Sequence, residues 1–325
     1  MTNSELKYNF GCSKRDGPKS YSSHYLARSK INIRTDPNTP PTQRDLFRLF
    51  LPLALSGIFF TLARPLINAA LARTQNPELA LAALGVAMSI TMPLMSPLFS
   101  LRQVATALVA DQDMLKRIRY LSLILGSGST ALLLILSIPQ IYAETVVQWM
   151  GIPESIAAIG PPILFVLALC PLLGVGRGYY QGILVHYNKA GPIGTGALAY
   201  LAGIAIILFI GITWVKIEGA LLAATASFVG QGLYLIVVGL PSLPIIRNQI
   251  PHRSDTIPDE HRTNRYLFLF YLPMAVSTML MAFIEPALQT SMARTAQPTH
   301  SLAAYAVAAS LSWIARTPLW NAQQV

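Results

Sequence analysis

From residue 46 onward the chain alternates between apolar runs of about 20 or more residues and short polar gaps. The runs lie near 46–72, 79–109, 120–139, 159–182, 191–213, 219–245, 266–292 and 301–325. As helices rising about 1.5 Å per residue, they match a hydrocarbon layer roughly 30 Å thick. Inside lipid only helices and closed barrels satisfy every backbone polar group. These runs are too long and too continuously apolar for barrel strands, so the pattern predicts eight membrane-spanning helices.

Residues 1–45 break the pattern. They are rich in Ser, Asn, Thr and Pro and basic through Lys7, Lys14, Arg15, Lys19, Arg28, Lys30 and Arg34. No apolar core follows the early charges, which excludes a signal peptide. The segment reads as a disordered cytoplasmic tail, or as a docking segment for anionic lipid or a partner.

Composition agrees with a lipid-facing chain: 53% of residues are hydrophobic, 12% are charged, and the mean hydropathy is +0.48. A soluble domain carries about 25% charged residues. The net charge of +10 does not point to nucleic acid, because the basic residues sit in the tail and the gaps rather than on one face. The gaps near 110–119, 183–190 and 246–265 hold Lys116, Arg117, Arg119, Lys189, Arg247, Arg253, Arg262 and Arg265. The gap near 140–158 has Glu144 and Glu154 and no Lys or Arg, and the remaining gaps have Arg73, Lys216 and Arg294. That bias predicts a cytoplasmic amino terminus in the cell (inner) membrane. Cys12 and Cys170 suggest no disulfide framework, and the five scattered histidines have no metal-ligand spacing. Gly194, Gly196 and Ala199 form a G-x-G-x-x-A with no preceding strand, so a dinucleotide site is not indicated. No Walker, zinc or nucleophile-elbow motif is present, so no enzyme, metal or cofactor is expected.

An internal repeat carries more information. At an offset of 221, residues 46–104 align with 267–325 without a gap. Pro52, Pro65, Pro77 and Pro97 fall on Pro273, Pro286, Pro298 and Pro318, and Ala72-Arg73-Thr74 falls on Ala293-Arg294-Thr295. Leu81-Ala82-Ala83 falls on Leu302-Ala303-Ala304, and about 21 of the 59 aligned positions are identical. Six spans separate the copies, so both enter the membrane in the same direction and are related by an axis along its normal. The predicted architecture is an all-α polytopic bundle. Residues 46–245 form a first six-helix lobe, 246–265 a basic cytoplasmic loop, and 266–325 the first two helices of a parallel-repeated second lobe. A complete second lobe would take roughly 140 further residues, which suggests a fragment, or a short protein that completes itself by oligomerising.

The repeat also pairs the polar residues buried in the spans. Arg64 falls on Glu285 and Asn68 on Gln289. Residues four apart share a helical face, so each related helix shows a polar stripe in apolar surroundings. An ionisable group deep in a span costs about 2.5–3.5 kcal/mol on insertion scales and marks a pairing or a pathway. The stripes are read as a central anion or ion site, with Glu285 able to take a proton and Arg64 able to hold negative charge, or as a structural bridge between lobes. Pro65 and Pro286 follow at once and are expected to bend their helices. Arg102 and Gln103, with Gln323 and Gln324, read as interfacial anchors or substrate contacts, and Arg73 with Arg294 as an outer gate or solvent-facing anchors. Gly174, Gly178 and Gly182 form a small-residue ridge for close helix packing.

Leu51-Pro52-Leu53-Ala54, Leu272-Pro273-Met274-Ala275 and Arg177-Gly178-Tyr179-Tyr180-Gln181-Gly182 resemble the multidrug/oligosaccharidyl-lipid/polysaccharide exporter superfamily, which includes multidrug-and-toxin extrusion transporters. Arg64-Pro65-Leu66-Ile67-Asn68, and Gly182-Ile183-Leu184 with His186 and Lys189, are similar to the progressive ankylosis protein family. The resemblance implies twelve helices in two lobes, alternating access, and export of small anions such as pyrophosphate, nucleotide or citrate. Coupling to H+ or Na+ would come with it, and only Glu285 matches the acidic residues used by extrusion-type relatives. A cation-coupled drug extruder, a lipid-carrier flippase and a non-transporting membrane interaction protein remain as alternatives.

Overall fold

The computed structural model describes residues 43–187, 189–215, 218–252 and 262–322. The tail before Gln43, together with Lys216, Arg253, His261, Gln323 and Gln324, lies outside the described residues. Eleven helices are present among the described residues, and no strand. They are α1 (Gln43–Leu71), α2 (Pro77–Leu108), α3 (Gln112–Leu136), α4 (139–150), α5 (Glu154–Leu167), α6 (Cys170–His186), α7 (Gly191–Ile210), α8 (Gly219–Asn248), α9 (Asn264–Ala282), α10 (Ile284–Ala293) and α11 (Pro298–Ala322). With α5–α6 and α9–α10 each taken as one broken span, the eight predicted runs become eight helical spans, with ends moved by a few residues.

Six of these spans are long and apolar enough to cross a membrane, and the stretch Ser56–Leu71 of α1 is a further, shorter apolar helix. Their surfaces fit lipid. Leu280 of α9 is 66% exposed, Phe209 of α7 66% and Leu240 of α8 63%. A contiguous apolar surface of that kind has no place in water, and the chain is an integral membrane protein.

Local chemistry explains where the helices begin and break. Proline opens α2 at Pro77 and α11 at Pro298, equivalent positions in the two repeat copies. At the first helical position its missing N–H costs nothing. Asp111 caps α3 by accepting from the Met114 N–H at 2.8 Å, and Thr263 caps α9 by accepting from the Tyr266 N–H at 3.2 Å. Two spans break three residues before a proline: the fourth at Ala168–Leu169 ahead of Pro171, and the seventh at Phe283 ahead of Pro286. Each proline removes the donor for the carbonyl four residues back and crowds it. Pro65, the repeat partner of Pro286, has no such effect: α1 stays helical from Gln43 to Leu71. The expected bend is therefore found as a break in the second copy and is absent as one in the first.

The gap 140–158 is not only a loop. It contains α4, with a π-helical turn at Ala143–Val147. Tyr142, Val146 and Met150, four residues apart, are buried on one face, while Trp149 is 58% exposed. Gly151, in the left-handed region at φ 67°, ends the helix. A run this short cannot span a bilayer, which is why a pattern of spanning lengths passes over it.

The packing centres on α2, the most enclosed span. It contacts α5, α6, α9 and α11, while α1 packs against α7 and α11, and α7 against α8. Under the repeat, α1 corresponds to α9–α10 and α2 to α11, so the α1–α11 and α2–α9 contacts are equivalent. All the helices belong to one packed unit. The division at the loop 246–265 follows the repeat, not a gap in packing. At the end of the bundle that carries this loop, Gln112 N–H donates to the Pro251 carbonyl at 3.0 Å and Arg117 to Asn264 Oδ1 at 2.5 Å. Buried Asp111 there lies 3.6 Å from Arg262.

The glycine ridge of α6 lies against α2, with graded tolerance. A Cβ at Gly174 would meet the flexible Met95 Cε at 3.2 Å, and one at Gly178 would meet the Leu98 carbonyl at an ordinary 3.6 Å. At Gly182 it would run into Ala105 Cβ and come within 2.8 Å of the Arg102 carbonyl. Gly182→Ala is therefore expected to cost on the order of 1–3 kcal/mol by overpacking. Gly174→Ala and Gly178→Ala should stay near the parent. Thermal melting of the three variants in detergent checks this, and equal losses would refute the graded contact.

Candidate functional site

The polar residues of the spans fall into two groups. The first is a seam between the repeat copies. Arg64 of α1 and Glu285 of α10, equivalent positions 221 residues apart, meet at 3.4 Å. Their side chains are 27% and 17% exposed, so the pair is enclosed but not sealed. One turn on, Asn68 Nδ2 donates to the Ala306 carbonyl of α11 at 3.3 Å, and Gln289 Nε2 donates to the Gly85 carbonyl of α2 at 3.1 Å. Gly85 and Ala306 are again one repeat apart, so the two hydrogen bonds are symmetry equivalents. Asn68 also donates to the Ser310 hydroxyl at 3.0 Å. Gln289 is 2% exposed, and its Oε1 has no hydrogen-bond partner. Pro65 and Pro286 adjoin the ion pair on their helices. The seam thus brings Arg64, Asn68, Glu285 and Gln289 into one layer. It joins the two copies through one ion pair and two equivalent amide hydrogen bonds.

The second group lies within the first six spans. Gly178 and Gly182 let α6 approach α2, and the stem of Arg102 passes over Gly178, 4.0 Å from where a Cβ would sit. Arg177, the neighbour of Gly178, lies within electrostatic reach of Arg102. Its guanidinium carbon is 4.5 Å from the Phe60 ring centroid, 5.5 Å from Tyr234 and 6.0 Å from Phe99. Phe60 stacks on Tyr200 at 4.5 Å. Gln181 donates to the Tyr234 hydroxyl, and Tyr234 lies 3.5 Å from the Ile193 carbonyl. Both arginines are enclosed by protein yet keep some accessible surface. The Arg177 Nε is buried without a hydrogen-bond partner. Among the described residues neither Arg102 nor Arg177 has an ion pair.

Arg102, expected as an interfacial anchor or a substrate contact, is half-buried and lies against Gly178. Gln103, its neighbour, is half-buried. Arg73 and Arg294 are exposed and make no ion pair with one another or with other described residues. Arg294 instead lies beside Gly151. Of the motif residues, His186 places a ring nitrogen 2.8 Å from the Thr106 carbonyl, and Lys189 donates to Gln249 at 3.4 Å. Both tie loop ends rather than line either polar group. Arg177, Tyr200 and Tyr234 were not singled out by the sequence as site residues. The available signal was the ionisable Arg177 deep in an apolar run, masked by its place in the glycine ridge.

No protein-family model matches the chain, and no curated protein matches it in sequence. Solved structures do. The chain resembles the inward-facing conformation of a multidrug resistance MATE family transporter of the MOP superfamily, with a TM-score of 0.65 and 17% identity, covering 80% of this chain and 60% of that one. It resembles the MATE multidrug transporter DinF-BH, solved as a complex, with a TM-score of 0.69 and 14% identity over 87% and 63% of the two chains. A MOP superfamily transporter from Pyrococcus furiosus, described as having a binding pocket of reverse polarity, matches with a TM-score of 0.65 and 17% identity over 86% and 62%. The chain has the MATE fold and spans about three-fifths of the length of these transporters.

Arg64→Ala and Glu285→Ala are each expected to destabilise the bundle by more than a surface pair would, between about 1 and 4 kcal/mol. The exchange Arg64→Glu with Glu285→Arg should recover most of the loss. A double-mutant cycle on melting in detergent measures the coupling. Additive effects of the two alanines would mean that the pair contributes no joint stability.

Proposed function

We propose that the protein is a secondary transporter that exports small anions by alternating access between its two repeat copies. The observation that carries this reading is the Arg64–Glu285 pair. It joins equivalent positions of the two copies inside the spans, flanked by equivalent hydrogen bonds. A contact of this kind holds one arrangement of the copies and is released in the other. The fold supports transport in general, since the structures it resembles are transporters of the MOP superfamily.

Charge balance favours anions over lipophilic cations. Arg64, Arg102, Arg177 and Arg316 lie away from the ends of the described spans, against the single carboxylate of Glu285. The Pyrococcus furiosus relative, with its pocket of reverse polarity, offers a precedent within this fold. Pyrophosphate-, nucleotide- or citrate-like substrates fit the surplus, in line with the resemblance to the progressive ankylosis family. Glu285 is the natural place for coupling to H+ or Na+. The basic end of the bundle, with Lys116, Arg117, Arg119, Lys189 and Arg247, faces the cytoplasm of the cell under the positive-inside rule. Membrane lipid and the anion are its partners, and nucleic acid is not.

In proteoliposomes loaded with radiolabelled diphosphate or citrate, the protein is expected to release anion faster than empty vesicles. Arg64→Ala should lower that flux at least tenfold while inserting normally. Undiminished flux in Arg64→Ala would remove the residue from the mechanism. Flux of cationic dyes with none of anions would favour a drug extruder.

A further inference from the structure

We infer that Arg102 and Arg177 form an oxyanion-binding site inside the first six spans, separate from the seam at Arg64 and Glu285. It takes a small phosphate- or carboxylate-bearing anion of at least two negative charges. This deepens the anion reading above and rests on it for its purpose, though not for its test.

Burial and pairing carry the argument. Both residues are half-buried, the Arg177 Nε is fully buried, and Arg102 lies against Gly178, the neighbour of Arg177, so the two charges sit close enough to repel. Taking one ion out of water costs several kcal/mol even after relaxation, and a like charge beside it adds to the cost. What the protein offers in return is aromatic: Phe60 at 4.5 Å, Tyr234 at 5.5 Å and Phe99 at 6.0 Å from the Arg177 guanidinium. Cation–π contacts contribute about 0.5–2 kcal/mol, less than the desolvation, and these rings reach Arg177 but not Arg102. Every described carboxylate that pairs with a base does so elsewhere: Glu285 with Arg64, Asp111 with Arg262, Asp113 with Lys116, and Glu78 with His300. The missing counter-charge is therefore best supplied by a ligand.

The surroundings suit an oxyanion. A guanidinium offers a planar fork of donors matched to carboxylate or phosphate, and the Arg177 Nε is a buried donor still without a partner. Tyr200 stacks on Phe60, the ring over which the Arg177 guanidinium lies. The glycine approach at Gly178 and Gly182 sets the distance between α2 and α6, the helices that carry the two arginines. Among the described residues no carboxylate pairs with either arginine, and the Arg177 guanidinium is faced by the rings of Phe60, Tyr234 and Phe99.

The same chemistry is carried by a free anion and by a lipid phosphate headgroup, and the experiment separates them. The purified 325-residue chain is melted in zwitterionic detergent with inorganic phosphate, diphosphate or citrate, with chloride at matched ionic strength as control. It is melted again in nanodiscs with and without phosphatidylglycerol. Diphosphate or citrate should raise the melting temperature by several degrees over chloride. Arg102→Gln and Arg177→Gln should abolish that rise. Arg102→Gln, which removes one of two repelling charges, should melt no lower than the parent in anion-free buffer, so loss of the shift cannot be ascribed to misfolding. Arg64→Ala should keep the shift, because the site lies apart from the seam. A rise given only by phosphatidylglycerol and lost in both glutamine variants assigns the site to a lipid headgroup. A rise that persists in Arg102→Gln and Arg177→Gln, or none with any probe, overturns the proposal. Because binding is read without flux, an inactive transporter that still binds diphosphate through the pair refutes only the export reading.

Discussion

The contact between α2 and α6 at Gly182 is the constraint on which the rest of the bundle depends. In lipid, helices gain little from burying apolar surface against one another, since hydrocarbon already surrounds them. Association rests on close packing and interhelical hydrogen bonds. Gly182 allows the backbones to meet at the Arg102 carbonyl and Ala105, a distance that no side chain permits. Once α6 is seated there, α5 and α8 follow it, and α2 becomes the shared wall between the first six spans and the second repeat copy. The same approach that gives packing also forces Arg102 and Arg177 together.

Across that wall the fold changes its method. The second copy is attached through α9 and α11, whose contacts with α2 and α1 are equivalent under the repeat, and through a thin layer of polar bonds. Amide bonds such as Asn68 to Ala306 and Gln289 to Gly85 contribute roughly 0.6 kcal/mol each in membrane proteins. Such weak ties position the copies without fusing them. The half-enclosed Arg64–Glu285 pair is stronger but remains partly open to solvent, so water can replace each partner when it separates. Firm packing inside the first six spans thus stands against weak ties between copies, the contrast that the proposed alternating access requires.

Much of this was legible in the sequence, for physical reasons that differ residue by residue. The spans were readable because lipid demands long apolar runs with polar ends, and Pro77 and Pro298 mark helix starts directly. The pairing of Arg64 with Glu285 was readable because a duplication converts sequence offset into spatial symmetry. By contrast, α4 was invisible to a test based on spanning length. The unbroken α1 at Pro65 was equally hidden: the identical residue at Pro286 follows a broken turn, and local sequence around Phe283 does not announce the difference. Arg102 and Arg177 were each visible as charges in apolar surroundings. Their proximity was not, because it depends on which face of α6 meets α2, and 75 residues of chain separate them.

That proximity bears on how the seam and the arginine pair could act as one device. Arg64 is held by Glu285, while Arg102 and Arg177 lack any such partner among the described residues. An anion bound beside Arg177 would relieve the like-charge repulsion there, in a low-dielectric interior where interactions between charges carry further than in water. A ligand shifts a conformational equilibrium only by its differential affinity for the two states. Under the proposed alternating access the pair is made in one arrangement of the copies and released in the other, so an anion that weakens it would have such a difference. A cation would do the opposite: it would be repelled by the arginine pair and would leave Arg64 bound to Glu285. Under the proposed export of anions, this arrangement of charges would favour an anion both at the arginine pair and at the Arg64–Glu285 contact.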